Sequence, residues 1–188
     1  MQNNYFSGKR GSIMGYANRG MSFELLLNNT CRMYKAANVG VFNKRPTPIK
    51  VIKTDKKGNI TKSAWESKST VDYDGVYKGR AVYFEAKSTE KTTSFPLDNI
   101  SRHQIDYLKD TQEQGALCFF LIEFRTDQVI YFVPVSVVTE YYEAMLYDGG
   151  RKSIPREEFE KRAYIVPQTN RAPVDYLYHV DKLGMVTI

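Results

Sequence analysis

The apolar run from Ala116 to Phe124 most constrains how this chain can fold. Its longest uninterrupted piece, Ala116–Ile122, is far shorter than the roughly 20 apolar residues a membrane helix requires. The run has no polar alternation, so a strand buried on both faces is expected, at the centre of a sheet. Gln128–Val133 is expected to pair with it across Arg125-Thr126-Asp127. Such a sheet needs helices on its faces. Phe23, Leu26, Leu27, Thr30, Cys31 and Tyr34 recur at helical spacing, which predicts a helix over residues 21–37 with one buried stripe. Asn38-Val39-Gly40 ends it, and Val39–Asn43 begins the sheet.

Further helices are expected from Asp98 and Ser101 to about Glu113, and from Pro134 and Ser136 through Val138, Tyr142 and Leu146. Gly149-Gly150 ends the second of these. A short helix near Pro155–Lys161, a strand near Tyr164–Val166 and a last short helix opened by Pro173 complete the pattern. Pro46-Thr47-Pro48 interrupts the chain early. Ile49–Lys53 and Ile60–Ala64 then read as two strands around the turn Asp55-Lys56-Lys57-Gly58-Asn59. Their apolar residues are few, so the hairpin is expected to project from the core. The whole is of the α/β class, a mixed central sheet flanked by helices. At 188 residues it is most simply one domain over 18–188, with a basic arm over 1–17 and the hairpin inserted at about 45–69.

Charge narrows the partners. The net charge is +6 and the isoelectric point about 9.2, which favours a polyanion or an anionic surface. No acid precedes Glu24, whereas Lys9, Arg10 and Arg19 do. Between Lys44 and Lys68 eight basic residues face only Asp55 and Glu66. Cys31 and Cys118 each sit among apolar residues and read as buried free thiols, neither at zinc-ligand spacing with another cysteine or histidine. No signal peptide or membrane span is visible, so a soluble, cytoplasmic protein is expected.

The chemistry is concentrated between Thr70 and Lys87. Ala81–Lys87 reads as a strand, with Val82, Phe84 and Ala86 toward the core and Tyr83, Glu85 and Lys87 on the other side. Asp72 lies thirteen positions before Glu85. The turn-forming pairs Asp74-Gly75 and Lys78-Gly79 are expected to reverse the chain and bring Asp72 beside Glu85. Two carboxylates with an adjacent lysine suit a hard divalent cation and an anionic substrate, hence phosphodiester hydrolysis.

This acid followed by Glu85-Ala86-Lys87 resembles the core of the PD-(D/E)xK nuclease superfamily, although Val71 stands where a proline is usual. Longer words are more specific. Asn18-Arg19-Gly20-Met21, Lys44-Arg45-Pro46-Thr47-Pro48, Asp72 through Arg80, Phe84-Glu85-Ala86-Lys87 and Thr93-Ser94-Phe95-Pro96-Leu97 occur in this order in the RecU family. Gly150 through Ile154 and Ala172 through Tyr176 resemble the same family, so the likeness runs from about Asn18 to Tyr176. These are the Holliday-junction resolvases of low-GC Gram-positive bacteria. The resemblance implies a restriction-endonuclease-like sheet with an inserted stalk and four-way branched DNA as substrate; the two-fold symmetry of such a junction in turn calls for a homodimer that makes paired symmetric nicks. The resemblance also implies a recombinase as a further partner.

In this frame Asp72 and Glu85 are the expected magnesium ligands, with manganese as a substitute, and Lys87 the positive charge at the phosphate. Gln104 reads two ways: with Ser101 it fits a capping box, while the resemblance places it beside the metal. The resemblance gives Thr70 a metal-bound oxygen or a structural hydrogen bond. Glu24 is either an outer ligand or an acid favoured by its helix dipole. Asp74 reads as a turn residue, and His103 and His179 as non-ligands. Arg19 and the hairpin lysines Lys50, Lys53, Lys56, Lys57 and Lys62 are the DNA-binding candidates. A less selective duplex endonuclease, or a junction-binding recombinase modulator with an inactive site, are the alternatives.

Overall fold

The computed structural model describes residues 22–66 and 70–186. The arm expected over 1–17, Arg19 and Lys68 lie outside the described residues. Ser22 caps the first helix, α1 (Phe23–Ala36), by accepting the Leu25 N–H at 3.3 Å. The buried face of α1 is the predicted stripe: Phe23, Leu26, Leu27, Thr30, Cys31 and Tyr34. Four strands come next: β1 (Val41–Lys44), β2 (Ile49–Thr54), β3 (Ile60–Trp65) and β4 (Tyr73–Tyr77). The chain continues through β5 (Arg80–Thr89), β6 (Ser94–Pro96), a 3-10 turn, α2 (Arg102–Glu113), β7 (Leu117–Phe124) and β8 (Val129–Pro134). The last elements are α3 (Val135–Tyr147), β9 (Ser153–Pro155), α4 (Arg156–Arg162), β10 (Tyr164–Ile165) and α5 (Leu177–Lys182).

Six strands form the central sheet in the order β1-β4-β5-β7-β8-β10. β5 and β7 pair in parallel and the remaining pairs are antiparallel. Every residue of β7 is buried, as its apolar run requires. One face of the sheet packs on α1 and α5 through Leu26, Tyr34, Phe84, Phe119, Tyr176 and Leu177. The other packs on α2, α3 and α4 through Ile105, Leu108, Phe120, Ile122, Val138 and Phe159. This is the expected mixed sheet flanked by helices, consistent with the restriction-endonuclease-like fold. Across it Tyr73, Phe84, Phe119 and Phe132 stack in a row, with centroids 4.7, 5.1 and 4.4 Å apart. Cross-strand aromatic pairs of this kind hold strand register, and here they fix where β4 begins, directly after Asp72.

The hairpin β2–β3 is a separate sheet, and every residue in both its strands is exposed. Its turn is organised by Asp55, whose carboxylate accepts the N–H groups of Lys57 and Asn59 at 2.8 and 2.9 Å. Register sets Lys53 opposite Lys62 and Lys50 opposite Ala64, so three lysines share one face. Like charges facing each other weaken a strand pair, and a bound polyanion would relieve them.

Two expectations need correction, and one pairing was unforeseen. Asp74-Gly75 is not a turn; both residues lie within β4, and Lys78-Gly79 alone reverses the chain, with φ of 46° and 76°. Gly75 is needed for close approach instead, since a Cβ there would sit 2.3 Å from Val41 O and 2.5 Å from Phe42 Cδ1. The last helix starts at Leu177 rather than at Pro173, where the chain makes a turn. The pairing of β6 with β9 was not predicted, because three-residue strands carry no periodicity.

Candidate active site

β5 outruns its neighbour. Pairing with β4 stops at Tyr73 and Phe84, so the edge of β5 beyond Phe84 is open on that side. Asp72 fills the gap. Its carboxylate Oδ2 accepts the Ala86 N–H at 3.2 Å, and its own N–H donates to Glu85 Oε2 at 3.0 Å. These bonds hold the two acids together where the strands diverge. Strand alternation puts Val82 and Phe84 in the core on one face and Glu85 and Lys87 on the other, as expected. Ala86 faces the same core as expected; it is half-buried there, and it lines an open cavity with Asp72, Glu24, Lys44, Ser88 and Arg125.

Glu85 is fully buried. Its Oε1 takes the Lys87 ammonium at 2.7 Å and the Gln104 Nε2–H at 2.5 Å. Gln104 stands in the first turn of α2, and its Oε1 accepts the Ser101 N–H at 3.0 Å. The capping-box reading of Gln104 therefore holds: one end of its amide completes the box, and the other donates to Glu85. Burial, and then the negative charge of Asp72, push the Glu85 carboxyl up to about 8, and Lys87 opposes this. The acid pair is thus short of positive charge. Two carboxylate oxygen donors with that deficit fit magnesium, which takes few protein ligands and keeps most of its waters. Among the described residues no group of three or more His, Cys, Asp or Glu has metal-site geometry.

The structure therefore brings Asp72, Glu85, Lys87 and Gln104 together. Thr70 Oγ1 accepts a hydrogen bond from Arg45 Nη1. Glu24 lines the same cavity as Asp72 and pairs with Lys44 at 2.6 Å. Asp74 pairs with Arg45 Nε at 2.6 Å, a structural role despite its place in a strand. His179 is buried with Nε2 2.8 Å from Ile165 O, and His103 is part of a groove beside α2. Cys31 and Cys118 are buried thiols, and burial pushes Cys31 up to about 11. Lys50, Lys53, Lys56, Lys57 and Lys62 all lie on the hairpin, apart from the acid pair. Sequence reasoning missed Arg45 as a meeting point of strands and Arg125 as a cation on the cavity wall. Neither stands in a periodic pattern, and only the meeting of separate strands gives them roles.

Residues 18–182 match the family described as recombination protein U, RecU. A protein of Levilactobacillus brevis named Holliday junction resolvase RecU is 40% identical over 172 residues, covering 89% of this chain and 85% of its own. Proteins of the same name are 37% identical in Oceanobacillus iheyensis, covering 89% and 87%, and 34% identical in Streptococcus gordonii, covering 96% and 90%. With a family match over residues 18–182 and relatives 34–40% identical over most of its length, this chain belongs to the RecU family.

Proposed function

We propose that this chain is an endodeoxyribonuclease that resolves four-way DNA junctions by paired symmetric nicks during recombination and repair. The observation that carries this reading is the Asp72–Glu85 pair beside Lys87 at the open edge of β5, joined by the Asp72 N–H to Glu85 Oε2 and anchored by the Ala86 N–H on Asp72 Oδ2. Asp72 and Glu85 would hold magnesium, with manganese as a substitute. When bound, the ion supplies Lewis-acid polarisation of the phosphate and lowers the pKa of an attacking water. Glu85 presents its carboxylate from a fully buried strand position, and Gln104 holds it in orientation. Lys87, less than a quarter exposed, offers a positive charge to the phosphate oxygens as negative charge develops. Lys44 and Arg125, on the cavity wall beside Asp72, supply positive charge for the flanking backbone. Thr70 supports the Asp72 segment through Arg45.

Binding comes from elsewhere on the molecule. The hairpin lysines meet phosphates, and Arg19 adds one more positive charge. Selectivity for the branch arises from shape and deformability more than from base reading. A junction has two-fold symmetry, so a C2 homodimer would present two sites in matching positions. The domain organisation is an arm over 1–17 and one nuclease unit over 18–188. The protein works in the cytoplasm alongside a recombinase. Among the described residues no helix is long and apolar enough to cross a membrane.

The test is incubation of labelled four-way junction and matched linear duplex with the protein, with and without magnesium. Symmetric nicks in the junction only, dependent on the metal, are the expected result. Equal cutting of both substrates would make it a less selective duplex endonuclease. Tight junction binding without cutting would make it a recombinase modulator. Sedimentation that shows a fully active monomer would remove the dimer.

A further inference from the structure

Arg45 stands where the chain leaves β1 for the hairpin. Its N–H donates to Asp72 O at 2.8 Å, at the far end of the insertion. Its Nε pairs with Asp74 on β4 at 2.6 Å, and its Nη1 donates to Thr70 Oγ1 where the chain returns. The guanidinium also lies over the rings of Tyr83 and Tyr107, 5.5 and 5.6 Å from their centroids. Those rings meet edge to face at 5.5 Å. Tyr83 is on β5 two residues before Glu85, and Tyr107 is on α2 one turn after Gln104. One side chain therefore links both ends of the hairpin to β4, β5 and α2, the elements that place Asp72, Glu85 and Gln104. Since every strand residue of the hairpin is exposed, a force on it reaches the body through its two connecting segments, and Arg45 clasps both. A planar fork with fixed donors that also stacks on aromatic faces suits this task; a lysine does not.

We propose that Arg45 is a positioning residue that couples DNA engagement of the hairpin to the placement of Asp72 and Glu85, so that cleavage at saturation depends on a seated branch. The proposal rests on the junction-nuclease reading above. A shift of about 1 Å in reacting groups can cost on the order of a hundredfold in rate, so a small displacement of Asp72 is enough.

The experiment is single-turnover cleavage of a labelled four-way junction at saturating protein and magnesium. It compares wild type, Arg45→Lys, Lys56→Ala/Lys57→Ala and the combination. Arg45→Lys is expected to slow cleavage about tenfold or more while junction affinity stays within about twofold, a loss in kcat rather than in binding. The tip substitutions are expected to slow saturated cleavage in wild type but to add less than about twofold in the Arg45→Lys background, because the coupling is already broken. A merely structural arginine would give losses that multiply. Asp74→Asn removes a partner and leaves Arg45 in place, so it carries the same comparison if Arg45→Lys folds poorly. Multiplying losses, or wild-type cleavage by both Arg45→Lys and Asp74→Asn, overturn the coupling alone. A wild-type protein that leaves the junction intact overturns the nuclease reading and the coupling with it.

Discussion

Replacing Glu85 by glutamine should change the pH dependence of stability as well as activity. The Glu85 carboxyl is pushed up to about 8 from an ordinary 4.5, first by burial and then by Asp72. Between those values the folded chain holds a proton that the unfolded chain has released. The contribution to stability is therefore full below about 4.5 and is lost as pH rises through about 8. The slope is about 1.4 kcal/mol per pH unit, so the whole window amounts to something on the order of 5 kcal/mol. In Glu85→Gln this slope disappears. The absolute stability is harder to use, because the new amide NH2 must face Lys87 and Gln104 or the Asp72 N–H. A donor facing a buried donor costs about 1–3 kcal/mol. The difference in slope is free of that offset. Urea unfolding of both proteins from pH 5 to pH 8.5 without metal measures it directly. Magnesium should then restore stability to wild type at pH 8, by about 2.7 kcal/mol at 100 times its Kd, and give Glu85→Gln far less. Parallel pH profiles for the two proteins would refute the argument, since Glu85 would then ionise as an exposed acid does.

Asp72→Asn should abolish cleavage and leave junction affinity close to wild type, as gel-shift and cleavage assays on one preparation would show. Gln104→Leu should lose both its cap and its bond to Glu85, lowering stability by about 1–3 kcal/mol and slowing cleavage; thermal unfolding and single-turnover rates read the two effects separately. Lys56→Ala/Lys57→Ala should flatten the salt dependence of junction binding by about one unit of slope for each lysine–phosphate pairing removed. An unchanged slope would make these lysines a solubilising edge. Gly75→Ala should destabilise by roughly 1–3 kcal/mol or more through overpacking against Val41 and Phe42, seen as a lowered Tm.

Much of this protein was legible in one dimension because local physics left a periodic trace. The α1 stripe emerged residue for residue, since helical spacing marks the buried face wherever one side packs on a sheet. The run ending at Phe124 identified the central strand because only burial on both faces tolerates such a sequence. The hairpin was legible from its turn chemistry, and its exposure from the scarcity of apolar residues. Asp72, Glu85 and Lys87 could be named from spacing and from the family's words. Asp74-Gly75 misled because the same dipeptide serves a turn and a close strand crossing, and only the position of Phe42 tells them apart.

Residue pattern alone thus determined most of the helices and longer strands and which of their faces are apolar, and it singled out the candidate acids. The tertiary structure decided how far each strand runs beside its neighbour. That length leaves β5 open past Phe84, seats Asp72 on its free edge and buries Glu85 under Gln104. It also decided that Arg45 bonds Asp72 O through its backbone and Asp74 and Thr70 through its guanidinium. Periodicity reports the average environment of a segment, whereas hydrogen bonds, ion pairs and shifted carboxyls depend on single distances between residues remote in the chain, and only the packed fold sets those distances.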